Sequence, residues 1–262
     1  MEKNKENLMR FGIGTKGFVY ILIGGLTLMA ALGRGGSKSG SSDALKFLSG
    51  STIGTILLAI TAAGLLAYVS WRFYQAFIDP EDKGNDAKGL ARRIGYFSSG
   101  VFYGALAFSA IDILISSGGG GSGGGQEAIV AKALTKTYGQ IIVAIIATVF
   151  LGKALYQMFR AYSNKYQNKV KKQGLSEKAQ KTILTFGKIG YTARGVVIGV
   201  IAFLTYKAAL TSNSDQAGGT KDAFSFLQHE FGTIVLILIA AGLLMYGIFI
   251  VVKARLREMS MV

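Results

Sequence analysis

The chain alternates between long apolar runs and short polar connections, and the runs have the length of membrane spans. A bilayer core of about 30 Å needs about 20 mostly apolar helical residues. Phe231–Val252 and Ser51–Trp71 run that far without a charge, and Ile94–Ile111 and Gly17–Gly33 come close to it. Thr137–Gly152 is followed by one lysine and then by Ala154–Phe159. Gly195–Tyr206 is short, flanked by Arg194 and Lys207, and on its own fits a buried soluble helix equally well.

An internal repeat settles the count. The segments RFGIGTKGFVYILIG from Arg10, RRIGYFSSGVFYGAL from Arg92 and GKIGYTARGVVIGVI from Gly187 share one pattern, in which Gly12, Gly95 and Gly190 coincide, as do Gly17, Gly100 and Gly195. A second helix follows in each copy, beginning at Gly54, Gly139 and Gly232 and reaching Ala76, Ala161 and Ala254. The expected fold is therefore all-α, a polytopic integral membrane protein with six transmembrane helices. A stretch over 1–10 precedes repeat 1 at 11–79 (helices 11–32 and 51–78), repeat 2 at 92–164 (helices 93–115 and 138–160) and repeat 3 at 185–257 (helices 185–210 and 231–252). Residues 1–33 resemble a secretory signal in outline, but the same helix recurs twice inside the chain, so it reads as the first span.

Charge adds an orientation. Most of the 29 Lys and Arg residues fall at the N-terminus, in the 79–93 and 160–188 connections and at the C-terminus. By the positive-inside rule both termini are cytoplasmic, and the three repeats run parallel. The net charge of +15 is then a topology signal and predicts no nucleic-acid partner. Only 16% of residues are charged, against about 25% in soluble proteins.

The outer connections are rich in Gly and Ser, including Gly118–Gly125, and end in short apolar-acidic segments. Ser42 and Thr220 are candidate starts of short interfacial helices, with Asp near the positive dipole end. Lid packing is the simpler expectation for them, a mobile gate the other. In the cytoplasmic 160–188 connection, Lys165, Lys169 and Lys172 share one helical face. That face either only fixes topology or also binds anionic lipid, at about 1 kcal/mol per basic residue near the surface. Gly174 is a candidate helix stop and Ser176 a candidate start.

The candidate chemistry is sparse. There is no Cys and one His, His229, so no cofactor or metal is expected and no catalytic residue is assigned. Gly100-x-x-x-Gly104 and Gly195-x-x-x-Gly199 fit close helix packing in lipid, as does Gly17. The intramembrane cations are the stronger lead. Lys16, Lys153 and Arg194 lie about 10 Å inside the nearest terminal cation by helical rise, with Arg72 nearer the surface, and no acid shares their level. They either snorkel to lipid phosphates or line an inner vestibule that attracts anions. Lys153 occupies the repeat position of Tyr68 and Tyr246, so a pseudo-threefold bundle predicts a Tyr-Lys-Tyr ring.

Lys16, Gly17, Val19 and Tyr20 at the start, and Gly64, Leu65, Leu66, Tyr68, Trp71, Arg72 and Ala76 at the end, resemble a bacterial membrane-protein family recorded as a domain of unknown function. Arg194-Gly195-Val196 and Gly242–Tyr246 match in the third copy, whereas Ser99 and Lys153 depart in the second. The resemblance implies three tandem two-helix repeats in a bacterial cytoplasmic membrane and carries no activity. Two functions follow as expectations. One is a non-enzymatic binding, lipid-interacting or structural membrane protein. The other is a transporter or channel for a small anion.

Overall fold

The computed structural model describes residues 2–80, 82, 84–116, 130, 132–163, 175–213 and 216–256. Gly118–Gly125, Lys165, Lys169, Lys172 and Gly174 lie outside the described residues. Seven helices are described in full: α1 (Glu2–Ala31), α2 (Ser41–Ser49), α3 (Thr52–Phe77), α4 (Ala87–Ile115), α5 (Gly139–Tyr162), α6 (Glu177–Thr211) and α7 (Thr220–Arg255). All except α2 are long and apolar enough to cross a membrane.

Three helices, α3, α4 and α6, start where an N-cap side chain satisfies a free backbone N–H group of the first turn. Ser51 Oγ accepts from Gly54 N at 3.1 Å, Asp86 Oδ1 from Gly89 N at 2.9 Å and Ser176 Oγ from Ala179 N at 3.4 Å. α1 and α6 extend further at their N-terminal ends than the apolar runs 11–32 and 185–210. A nucleated helix adds polar residues at little cost, so hydropathy alone does not mark its end.

The two described connections within repeats 1 and 3 are built alike. Asp43 accepts from Gly40 N at 3.0 Å, and Asp222 accepts from Gly219 N at 2.9 Å. Each then buries an Ala-apolar-apolar triplet: Ala44, Leu45 and Leu48 in α2, and Ala223, Phe224 and Leu227 in α7. Both therefore pack on the core as lids. α7 carries its lid and its span in one element, bent at Gly232, whose φ of 83° suits glycine.

The six long helices are arranged in a ring in which the second helix of each repeat packs on the first helix of the next: α3 on α4, α5 on α6, and α7 back on α1. The three interfaces share one register. A Cβ on Gly17 would lie 2.8 Å from Val251, one on Gly100 2.9 Å from Phe73 and one on Gly195 3.1 Å from Met158. Val251, Phe73 and Met158 are themselves equivalent by repeat position. One turn on, Gly104 faces Val69 and Gly199 faces Ala154 at 3.9 and 3.8 Å, while Gly247 takes up Ile21. The bundle is pseudo-threefold between repeats.

Those distances correct one expectation. Gly17, Gly100 and Gly195 sit at tight helix contacts. Gly104 and Gly199 do not, because an added Cβ there would make ordinary van der Waals contact. The small-xxx-small pattern is used through its first glycine only.

Within repeats the symmetry fails once. α1 packs on α3 with Gly12 against Tyr68 and Gly64 against Thr15, and α6 packs on α7 with Gly190 against Tyr246 and Gly242 against Ala193. The middle pair, α4 and α5, barely touches. Its counterpart of Gly64 and Gly242 is Val149, and a Cβ on Gly95 would meet nothing within 4 Å. Without the small residue on α5, the two helices do not close.

Candidate functional site

The core holds a set of cations bound to tyrosines. Tyr68, Tyr103 and Tyr246 are almost wholly buried, and Lys16 is 7% exposed. The inner-facing helix positions place them: Lys16 and Tyr20 are one turn apart on α1, as are Tyr68 and Arg72 on α3. Tyr103 follows Gly100 on α4 as Tyr20 follows Gly17 on α1.

The contacts form one chain across the bundle. Tyr68 Oη accepts from Lys16 Nζ at 3.2 Å and from Arg72 Nε at 2.7 Å, and Arg72 Nη1 also donates to Gln75 at 2.8 Å. Tyr68 meets Tyr103 edge to face, with ring centroids 4.8 Å apart. Tyr103 Oη donates to Tyr20 Oη at 3.3 Å, and Tyr20 Oη also accepts from Arg194 Nε at 3.0 Å. Arg194 Nη1 completes the chain on Tyr246 Oη at 2.7 Å. The ring faces contribute as well, with Lys16 5.2 Å from the Tyr68 centroid and 5.3 Å from that of Tyr103.

The electrostatics are one-sided. Among the described residues no carboxylate pairs with Lys16, Arg72, Lys153, Arg160 or Arg194; Arg10 and Glu6, 2.8 Å apart at the end of the bundle, pair with each other instead. Neutral phenols soften like-charge repulsion but do not cancel it, and burial strengthens it. The three cations of this cluster share neutral phenol and amide acceptors, with no carboxylate between them. A donor-rich cationic site is matched to an oxyanion, for which charge-assisted hydrogen bonds are the strong kind.

Sequence reasoning finds Lys16, Arg72, Arg194, Tyr68 and Tyr246, and the structure brings these five together. The head groups of Lys16, Arg72 and Arg194 lie on tyrosines inside the bundle, so they do not snorkel to lipid. The Tyr-Lys-Tyr ring does not close as a contact. Lys153 Nζ donates instead to Ser98 Oγ on α4 at 2.6 Å, bridging the two helices that fail to pack. It remains within electrostatic reach of Arg194 and Arg72.

Participants missed by the sequence include Tyr20 and Tyr103 as the bridge, and Arg160, whose guanidinium lies 5.0 Å from the Tyr191 centroid. The signal for the first two is their shared position after Gly17 and Gly100. Arg160 reads as a terminal surface cation until the helices are placed.

Two other hollows lie apart from the cluster. A groove of about 650 Å³ between α1, α3 and α7 is lined by Arg10, Phe11, Leu57, Thr61, Val251 and Arg255. His229 borders a smaller hollow and is highly exposed beside Glu230. No group of metal-ligating residues forms among the described residues.

The comparisons with known proteins give an architecture and a relative. The family model described as Domain of Unknown Function (DUF1206) matches three times in tandem, over residues 11–79, 94–164 and 189–257. The chain is 30% identical over 252 residues to an uncharacterized protein, YxxB, of Bacillus subtilis (strain 168), covering 96% of this chain and 90% of the relative. No solved structure matches the chain.

Proposed function

From the premise that the chain belongs to the DUF1206 family, we propose that it is a non-enzymatic membrane-embedded binding protein whose cation-tyrosine cluster holds an anionic group. The observation that carries this is the concentration of Lys16, Arg72 and Arg194 on the hydroxyls of Tyr68, Tyr20 and Tyr246, with no carboxylate among them. Cations inside a bundle cost free energy and are retained where a partner repays it. The setting proposed is the bacterial cytoplasmic membrane with both termini in the cytoplasm, supported by the distribution of Lys and Arg and by the Bacillus relative. The cluster then lies in the inner third of the bilayer.

Trp71, the single tryptophan, neighbours Arg72 in sequence and packs against the core, so its fluorescence serves as the probe. Titrating the detergent-solubilised protein with inorganic phosphate is expected to change Trp71 fluorescence saturably, and Arg194→Gln to weaken the response at least tenfold. A linear, non-saturating response identical in the variant overturns the proposal.

A second reading, a transporter or channel for a small anion, draws on the same inward-facing cations. Beyond the cluster the interior is filled by buried Leu45, Leu65, Phe224 and Leu243, which favours binding over passage. Flux of labelled phosphate into proteoliposomes, with Lys153→Met as control, decides between them: flux above that of empty liposomes supports transport.

A further inference from the structure

In five of the six neighbouring pairs of the ring the helices pack closely; α4 and α5 are the exception. We propose that this seam admits an anionic phospholipid sideways from the bilayer, so that its phosphate engages Lys153 and reaches the charge of Arg72 and Arg194 while its acyl chains stay between the two helices. The inference rests on the cluster being an anion site, and adds the ligand and its route.

Three observations carry it. The seam has room: a Cβ on Gly95 or Gly152 would meet nothing within 4 Å. α5 is also the least embedded helix, with 22% of its apolar window buried against 39% to 50% in the others.

The seam also carries charge at the right place. Lys153 is half-buried and holds one neutral hydroxyl, Ser98 Oγ. A phosphate oxygen is a stronger acceptor for an ammonium than a serine hydroxyl, so exchange of one for the other is favourable. Ser98 is therefore a latch that an anion displaces.

The occupant follows from the surroundings. An outward seam between membrane-spanning helices faces lipid, and the lipid that supplies an acceptor without a compensating cation is an anionic one. A phosphatidylcholine headgroup brings a quaternary ammonium that the cluster repels. The substitutions that create the seam, Val149 for glycine and Lys153 for tyrosine, fall in the same repeat and on the same helix. One removes the packing and the other supplies the charge.

The test uses the full chain in phosphatidylcholine nanodiscs with and without phosphatidylglycerol, retained lipid being counted by native mass spectrometry. Inorganic phosphate binding is read in parallel from Trp71. Wild type is expected to retain phosphatidylglycerol selectively. Gly95→Leu, which fills the seam, is expected to lower that retention at least tenfold while the phosphate response persists. Lys153→Met is expected to lower it similarly and Lys153→Arg to preserve it, and this pair decides the matter if Gly95→Leu does not fold. Wild-type retention in Gly95→Leu or Lys153→Met, or phosphate binding without phosphatidylglycerol selectivity, overturns the seam and leaves the cluster standing. Binding of neither ligand overturns both.

Discussion

Arg194 and Tyr246 meet in the middle of the bundle, the guanidinium Nη1 2.7 Å from the phenol oxygen, although they come from different helices of the third repeat. The contact fixes the guanidinium against a neutral acceptor. Removing that acceptor leaves a buried charged donor unpaired, which costs about 1.5–3 kcal/mol. Membrane bundles recover part of such losses through alternative partners. Tyr246→Phe is thus expected to destabilise by about 1–3 kcal/mol, read as a lower thermal midpoint in detergent. Tyr138→Phe, at an exposed site, is expected to leave the midpoint unchanged.

The glycines separate into two classes by what surrounds them. Gly24→Ala places a Cβ 2.5 Å from the backbone of Leu244, and Gly12→Ala places one 2.6 Å from that of Tyr68. Backbone cannot yield as a flexible side chain does, so each is expected to cost about 1–3 kcal/mol. Gly104→Ala and Gly199→Ala meet only ordinary contacts and are expected to stay within about 0.5 kcal/mol of wild type. Thermal denaturation of the four variants side by side checks the ranking.

The absence of cysteine allows clean single-thiol labelling. A cysteine at Gly95 is expected to react with a small maleimide in detergent at a rate far above one at Ala107, which is 1% exposed. Equal rates, read by mass shift over time, contradict an open middle pair.

The same approach tests the orientation. On intact cells a membrane-impermeant maleimide is expected to label a cysteine at Lys38. One at Lys178 is expected to react only after permeabilisation. The reverse pattern inverts the proposed topology.

Asp43 and Asp222 close the first turns of the two described lids from equivalent positions. Asp43→Ala is expected to cost about 0.5–2 kcal/mol, the range for loss of a capping side chain, and Asp43→Asn less, because an amide oxygen still accepts from Gly40 N. Denaturation midpoints check the order.

Much of this was legible in the chain before folding. Spans and repeats leave a strong mark because lipid demands long apolar helices and duplication copies their glycines. Lys16, Arg72, Lys153 and Arg194 stood out because charge is costly at that depth. The linkage between them was not legible. Tyr20 and Tyr103 look like any other span tyrosine until helix rotation turns them inward, and a helix's rotation depends on neighbours distant in sequence. Nor did the sequence mark the gap in the middle repeat, since its sign is an absence: Val149 is an unremarkable residue for a span and means something only beside Gly64 and Gly242.

A ring of three like hairpins packed equally at every joint would resist any change in girth, because easing one joint strains the others. Here the compliance is gathered at a single joint. Three interfaces locked in one register, together with the two closed hairpins, form a stiff open collar, and α4 and α5 are its free edges. Deformation of this protein is thereby given one direction and one place, as in a split ring that widens only at its cut.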